Sequence, residues 1–347
     1  MNRELATSYL GLKLNSPVIV GACPLTMQPE TVRQLIDAGA GAIVMPSMLQ
    51  EQICHEKIGQ SNPIDAIEQS GYQPQHDRYN GGTATYLETL ENMKSKYAIP
   101  IIASMNGSRV GDWVDYALQI ESAGADALEL NWQPGLPAPD DLADQVEERL
   151  CELVREVTSI VQIPVAVKLN QRFTNVASIA RKLQHASASG LVLFTHLPQW
   201  DVSIERLHWT VRWELSPVDS LGAILEGIVR ARMGCPSISI AASGGIRTCE
   251  DALKTMIAGA DVAMVTSEIY RSGPDAVANM IAGLHRYIQR SQYATLKEFQ
   301  DARPLPEVAR DDSMRLEYVD PLTRSDHYFD PTPVASTVNG DAFGHKS

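Results

Sequence analysis

The chain has no stretch long or apolar enough to cross a bilayer, and its N-terminus, MNRELATSYLGLKL, lacks the apolar core of a secretory signal. It has no excess of positive charge: 29 Lys and Arg stand against 42 Asp and Glu, a net charge of −13, which argues against nucleic acid and anionic membranes as partners. Its five cysteines (Cys23, Cys54, Cys151, Cys235 and Cys249) show no C-x-x-C or zinc spacing. An odd count with no signal peptide points to a reducing compartment, so the expectation is a soluble, cytoplasmic protein without a bound metal. No G-x-G-x-x-G turn follows an early strand, which removes the usual dinucleotide fold.

What the chain does have is repetition. Ala38-Gly39-Ala40-Gly41 precedes AIVM, Ala123-Gly124-Ala125-Asp126 precedes ALEL, Ala258-Gly259-Ala260-Asp261 precedes VAMV, and a degraded version at residues 186–190 precedes LVLF. Each marks a helix that stops at a small residue and gives way to a buried strand. Eight strands are predicted, at 18–20, 42–45, 101–105, 127–130, 165–169, 191–195, 237–241 and 262–265, with a helical pattern after each. Strict alternation of this kind requires a parallel sheet, and eight units close into a (β/α)8 barrel. With 347 residues and 44% hydrophobic content, the chain can build one large core.

Two connections are long, 46–82 after strand two and 196–217 after strand six. Both leave the carboxyl ends of their strands, where barrel active sites form, so they are expected to act as lids or substrate walls. The barrel is expected over 1–294. The polar, proline-containing remainder, 295–347, is expected to wrap the barrel or mediate a contact over part of its length, with about the last ten residues disordered.

The chemistry concentrates in SISIAASGGIRTCEDALKTMIAGADVAMVTS, residues 237–267. Gly244 and Gly245 let backbone N–H groups approach an anion at a helix N-terminus, and the hydroxyls of Thr266 and Ser267 add donors from the next strand end. On the last two strands of a barrel this pair of turns is a phosphate grip. The ordinary alternative is a βαβ unit with a glycine turn. Lys168 ends strand five, where an unpaired ammonium would be costly to bury; it is either functional or half of a salt bridge. Asn131 ends strand four, and a turn role before Pro134-Gly135 is its ordinary alternative.

The segments SPVIVGACPLT, GAGAIVMPS, GADALELNWQPG, IPVAVKLN, GLVLFTH, ASGGI and GADVAMVTS, in this order and spacing, resemble the dihydroorotate dehydrogenase family, in particular divergent members of its class 1 branch. The resemblance covers about residues 5–290. It implies an FMN-containing barrel that passes a hydride between a small substrate, a dihydropyrimidine in the family, and the flavin, with an electron acceptor as second partner; it also allows a homodimer. It implies that Gly244, Gly245, Thr266 and Ser267 hold the flavin phosphate, that Ala22 and Cys23 touch the ring system, that Lys168 contacts the flavin and its ribityl chain, and that Asn131 lies beside both flavin and substrate.

The departures bear on substrate. Pro46 stands where the family carries a lysine, the strand-four loop NWQPGLPAPDD has no Cys, Ser or Thr to serve as the family's base, and Thr195-His196 replaces a substrate asparagine. His196 is the first candidate for a substitute acid or base, followed by Cys54, His55 and His76 in the second loop. Trp132 either fills the space of the missing base loop or stacks on a planar ligand; Trp200, Trp209 and Trp213 either line a lid or, as the expected role, pack the strand-six insertion onto the barrel. The expected function is an FMN-dependent oxidoreductase acting on a planar or heterocyclic substrate other than dihydroorotate. Two alternatives stay open: a non-catalytic flavin-binding or assembly barrel, and a Schiff-base lyase using Lys168.

Overall fold

The computed structural model describes residues 3–61, 70, 74–108, 110–135, 138–217, 220–304, 319, 322 and 323. A compact unit spans Met1–Pro304; the remaining residues, Leu305–Ser347, form a second unit that lies almost wholly outside the described residues, as does the expectation for the end of the chain.

A short antiparallel hairpin, β1 (Thr7–Tyr9) and β2 (Leu12–Leu14), opens the chain. The eight expected strands follow as β3 (Val18–Val20), β4 (Ile43–Leu49), β5 (Ile101–Gly107), β6 (Ala127–Trp132), β7 (Val165–Leu169), β8 (Gly190–Leu193), β11 (Ser239–Ser243) and β12 (Val262–Val265). They close into one barrel in the order β11-β12-β3-β4-β5-β6-β7-β8, every neighbouring pair parallel. The chain is a (β/α)8 barrel. Its repeated turns have one backbone cause: Gly39, Gly124 and Gly259 all have positive φ, and Ser187 takes the same left-handed conformation in the degraded copy.

Apolar side chains fall into two shells. The outer shell lies between strands and helices, as with Val20, Leu128 and Val167. The inner shell fills the barrel with Ile19, Val44, Ile102, Ala127, Ala166, Val192 and Ala241, plugged from the N-terminal end by Tyr9, Leu10 and Leu14 of the hairpin. Strand periodicity then fixes what stands above this floor. Two residues beyond Ile102, Ala127 and Ala166 come Ser104, Glu129 and Lys168, all buried. On β4 the register against β5 shifts between Val44 and Ser47, a bulge that contains Pro46. Proline has no N–H for the ladder, and the irregularity turns Ser47 inward.

The long connections have structure of their own. After β4, helix α2 (Gln50–Ser61) and a 3-10 turn (Pro74–Tyr79) lead into the helix Gly82–Lys96. After β8, strands β9 (Gln199–Ser203) and β10 (His208–Arg212) form an antiparallel hairpin. The expectation that the tryptophans pack the insertion onto the barrel fails for Trp200 and Trp209, which are exposed on the hairpin, whereas Trp213, though also exposed, rests edge-on against His196. Beyond residue 294, Thr295 caps a helix (Leu296–Asp301) whose Leu296 and Phe299 are buried.

Candidate functional site

The carboxyl ends of the strands surround a cavity of about 580 Å³, within the usual range for small-molecule sites of roughly 300–1,000 Å³. Ala22, Cys23, Asn131, Lys168, His196, Gly244, Gly245, Thr266 and Ser267 all line it. These nine residues come from six strand ends, and the closed sheet brings them together.

At the floor, Lys168 Nζ donates to Glu129 Oε1 at 3.3 Å, and both side chains are buried. Ser104 Oγ donates to the same oxygen at 3.4 Å, and Ser47 Oγ lies 2.8 Å from Ser104 Oγ. A polar arc therefore crosses β4, β5, β6 and β7 at one level, with Ser47 and Lys168 at its ends facing the cavity. Lys168 is both an ion-pair partner and a wall of the site. Tyr79 joins from the second connection: its hydroxyl accepts the Ser47 N–H at 3.3 Å. Asn80 donates to Ser47 O at 3.0 Å and to Gln52, holding that turn against β4. Burial pushes the Tyr79 phenol up to about 12, and the neighbouring Ser47 hydrogen bond opposes that only in part.

Cys23 sits beside this floor, fully inside. Burial raises its thiol above the ordinary range, against the lowering effect of hydrogen bonds from Leu25, Thr26 and the Tyr270 hydroxyl and of the Lys168 charge. The net effect keeps it a neutral thiol at neutral pH. Two further cavity residues, Asn131 and His196, carry buried atoms, Oδ1 and Nε2, that have no hydrogen-bond partner among the described residues. Leaving such groups unmet costs about 1–3 kcal/mol each, so they are poised for a ligand.

At the opposite end Gly244 and Gly245 have φ of +106° and +63°. A Cβ on Gly245 would stand 2.2 Å from Ser220 Oγ, which together with the positive φ favours glycine here. The helix that follows begins at Cys249, capped by Thr248 and Asp251, so the glycines form a strand-end loop rather than its first turn. Ser267 Oγ accepts from Ser216 N at 3.1 Å, tying this end to the strand-six insertion. Arg247 and Arg271 flank Glu268 at 3.2 and 3.6 Å and also line the cavity. Burial works to raise the Glu268 carboxyl, but hydrogen bonds from Ser272 and Arg247 and both arginine charges hold it below the usual range. Two cations share this one carboxylate, and Glu214 also lines the cavity on the insertion side.

Other candidates lie elsewhere. Trp132 is buried outside the cavity: its Nε1 donates to Ser108 O at 3.0 Å and its ring packs 5.8 Å from Phe173. Cys54 and His55 are on α2, Cys54 packed against the outer shell and His55 hydrogen-bonded to Ser70, neither among the lining residues. The side chain of His76 lies outside the described residues. Beside the bulge that contains Pro46, Ser47 lines the cavity and Pro46 does not. Glu129, Tyr79, Arg247 and Arg271 were not singled out in the sequence, although the alternation of ALELN does place Glu129 on the same face as Asn131.

The sequence comparisons agree with this architecture. Residues 4–198, more than half of the chain, match the family model described as dihydroorotate dehydrogenase. A dihydroorotate dehydrogenase B (NAD(+)) catalytic subunit of Methanosarcina acetivorans is 27% identical over 299 residues, covering 83% of this chain and 92% of the relative. The protein of the same name from Pyrococcus abyssi is 25% identical over 302 residues, covering 85% and 97%. With the barrel, the strand-end residues and these matches in agreement, the chain belongs to the dihydroorotate dehydrogenase family.

Proposed function

We propose that this protein is an FMN-dependent oxidoreductase acting on a small planar or heterocyclic substrate other than dihydroorotate. The observation that carries the reading is the single cavity with Lys168 and Asn131 at its floor and Gly244, Gly245, Thr266, Ser267 and the two arginines at its far end. That donor set suits a ligand with a flat polar ring at one end and one terminal phosphate at the other. The unmet Asn131 Oδ1 and the side-chain-free backbone of Gly244 and Gly245 along the wall fit the same ligand. Bound there, the flavin would supply the two-electron chemistry, and an electron acceptor would take the pair away.

The protein's own residues have separable tasks in this reading. Lys168, held by Glu129, presents a fixed positive charge to the ring end, where negative charge develops on reduction. Asn131 offers an acceptor to a ring N–H. His196, set edge-on to Trp213 with ring centroids 5.4 Å apart, is the group best placed on the insertion side to give or take a proton. Cys23 stays a thiol and suits proton donation better than proton removal.

A second reading, a flavin-binding barrel without catalysis, is favoured by one observation: the loop after β6 sends no acid or base into the cavity, and Trp132 turns away from it. The lyase alternative loses ground, because Lys168 Nζ is engaged by a carboxylate rather than free as a nucleophile. The deciding experiment is anaerobic mixing of the flavin-loaded protein with a panel of reduced heterocycles and nicotinamides, followed by acceptors. Bleaching and recovery of the flavin band support the oxidoreductase; a flavin reduced only by dithionite supports the binding barrel.

A further inference from the structure

Three buried polar side chains stand side by side on neighbouring strands at the cavity floor. The barrel's register pairs Ser47 of β4 with Ser104 of β5, and Ser104 with Glu129 of β6. They form one hydrogen-bonded chain: Ser47 Oγ lies 2.8 Å from Ser104 Oγ, and Ser104 Oγ donates to Glu129 Oε1 at 3.4 Å. A carboxylate only accepts, so the single Ser104 hydrogen points to Glu129 and the Ser47 hydrogen must point to Ser104. Ser47 Oγ is left with its lone pairs for the cavity that it lines. Tyr86 holds the middle of the chain, donating to Ser104 O at 3.2 Å and accepting from Ser104 N at 2.9 Å. At the far end Lys168 shares Glu129 Oε1, 3.3 Å away.

We infer that this chain is a directed proton relay: Ser47 Oγ takes the proton that the substrate gives up at carbon, and Glu129 stores it while the flavin holds the electron pair. The inference rests on the flavin reading above. One substrate C–H bond breaks with its electron pair, which passes as hydride to the flavin. The adjacent C–H bond leaves its pair behind as the new π bond, and its proton goes to Ser47 Oγ. The Ser47 hydrogen moves to Ser104 Oγ, and the Ser104 hydrogen to Glu129 Oε1. The substrate is thereby oxidised by two electrons and the flavin reduced by the same two. When an acceptor removes the electrons, the proton leaves by the same path.

Charge is the reason for the destination. Before the step the Lys168 cation is matched by the Glu129 carboxylate. Afterwards Glu129 is neutral and Lys168 matches the negative charge of the reduced ring, so the buried floor carries no net charge in either state. The other titratable groups that face Glu129 among the described residues do not compete. Tyr9 of the N-terminal hairpin and Tyr79 and Tyr86 of the second connection are phenols kept protonated by burial, and Cys23, beside Lys168, is a thiol for the same reason. His196 stands past the end of β8, on the insertion side. The 3.4 Å link between Ser104 and Glu129 is the one that has to shorten, as catalytic hydrogen bonds do when a ligand closes a site.

The relay shows itself without any substrate, because reduction of the FMN-loaded full chain draws in two protons per electron pair, one to the flavin and one to Glu129. For a two-electron couple each proton adds ~30 mV per pH unit, the value of a tenfold change. The wild-type potential is expected to fall by ~60 mV per pH unit around neutrality and that of Glu129→Gln by ~30 mV. Ser104→Ala keeps the carboxylate and the steeper slope, but its proton uptake after flash reduction, followed with a pH-indicator dye, should slow at least ~10-fold. A wild-type slope of ~30 mV, a Glu129→Gln slope of ~60 mV, or a Ser104→Ala variant with unchanged uptake overturns the relay while leaving the flavin site standing. A protein that takes up no FMN overturns both. Should Glu129→Gln fail to fold, the reduced-minus-oxidised infrared spectrum of the wild type decides: the relay requires the carbonyl stretch of a protonated carboxyl to appear on reduction, and its absence overturns the inference.

Discussion

Lys168 Nζ and Glu129 Oε1 lie 3.3 Å apart inside the barrel, one strand and one layer offset from each other, with Ser104 completing the carboxylate's contacts. Removing one partner of a buried pair leaves the other charge without compensation. Glu129→Gln is therefore expected to lower unfolding stability by about 3–5 kcal/mol, and adding Lys168→Met should recover much of that loss. Denaturant melts of the two single variants and the double variant measure it; additive losses would mean that the pair is not coupled.

The same pair makes a prediction of opposite signs for the bound flavin. Lys168→Met removes the positive charge beside the ring and should lower the reduction potential, whereas Glu129→Gln removes a negative charge and should raise it. One charged hydrogen bond in a shielded site is worth about 1–3 kcal/mol. For two electrons ~30 mV corresponds to about 1.4 kcal/mol, so shifts of tens of millivolts are expected by dye-coupled titration. Equal potentials in all three proteins would make Lys168 a structural residue.

Dihydroorotate should be a poor substrate. The strand-four loop lacks the family's base, and general base assistance is worth on the order of 10²–10⁴ in rate. Steady-state assays of orotate formation with several acceptors check this, and efficient turnover would mean that Cys23 or His196 does the work assigned elsewhere in the family.

Stability should fall on the alkaline side. Burial holds the Cys23 thiol and the Tyr79 and Tyr86 phenols above their ordinary ranges, with their hydrogen bonds opposing it only in part. A raised folded value means that the unfolded chain releases its proton first, so the stabilisation is complete below the unfolded values, about 8.5 for Cys and 10 for Tyr, and is lost as pH rises through the folded ones. Denaturant midpoints measured from neutral pH upward should decline beyond about 8.5 and more steeply near 10. A flat or rising profile would contradict the burial of these groups.

Much of the architecture was legible because its signals are local. Short apolar runs such as VAVKL and VAMV, each set off by a helix stop, mark all eight strands, and a residue at a strand end in a closed barrel must face the same mouth. That is why Lys168, Asn131, Gly245 and Thr266 converge on one cavity. Features that depend on register were harder to read. The bulge at Pro46 exchanges a proline for Ser47 at the wall, and Tyr79 arrives there through the Gln52 and Asn80 contacts rather than through any pattern of its own. The alternation in QWDVS and HWTVR is the period of a two-faced hairpin, a signal that the long connection between strand six and the next helix concealed.

The claim on which the rest depends is that this cavity holds FMN, and the absorbance spectrum of the freshly purified protein tests it most directly. The wild type is expected to show flavin bands near ~450 nm and to release FMN on denaturation, and Gly245→Asp, which sets a carboxylate against Ser220 and the phosphate, should be colourless while still folded. A colourless wild type that also fails to take up added FMN, or a Gly245→Asp variant with undiminished flavin, would contradict it.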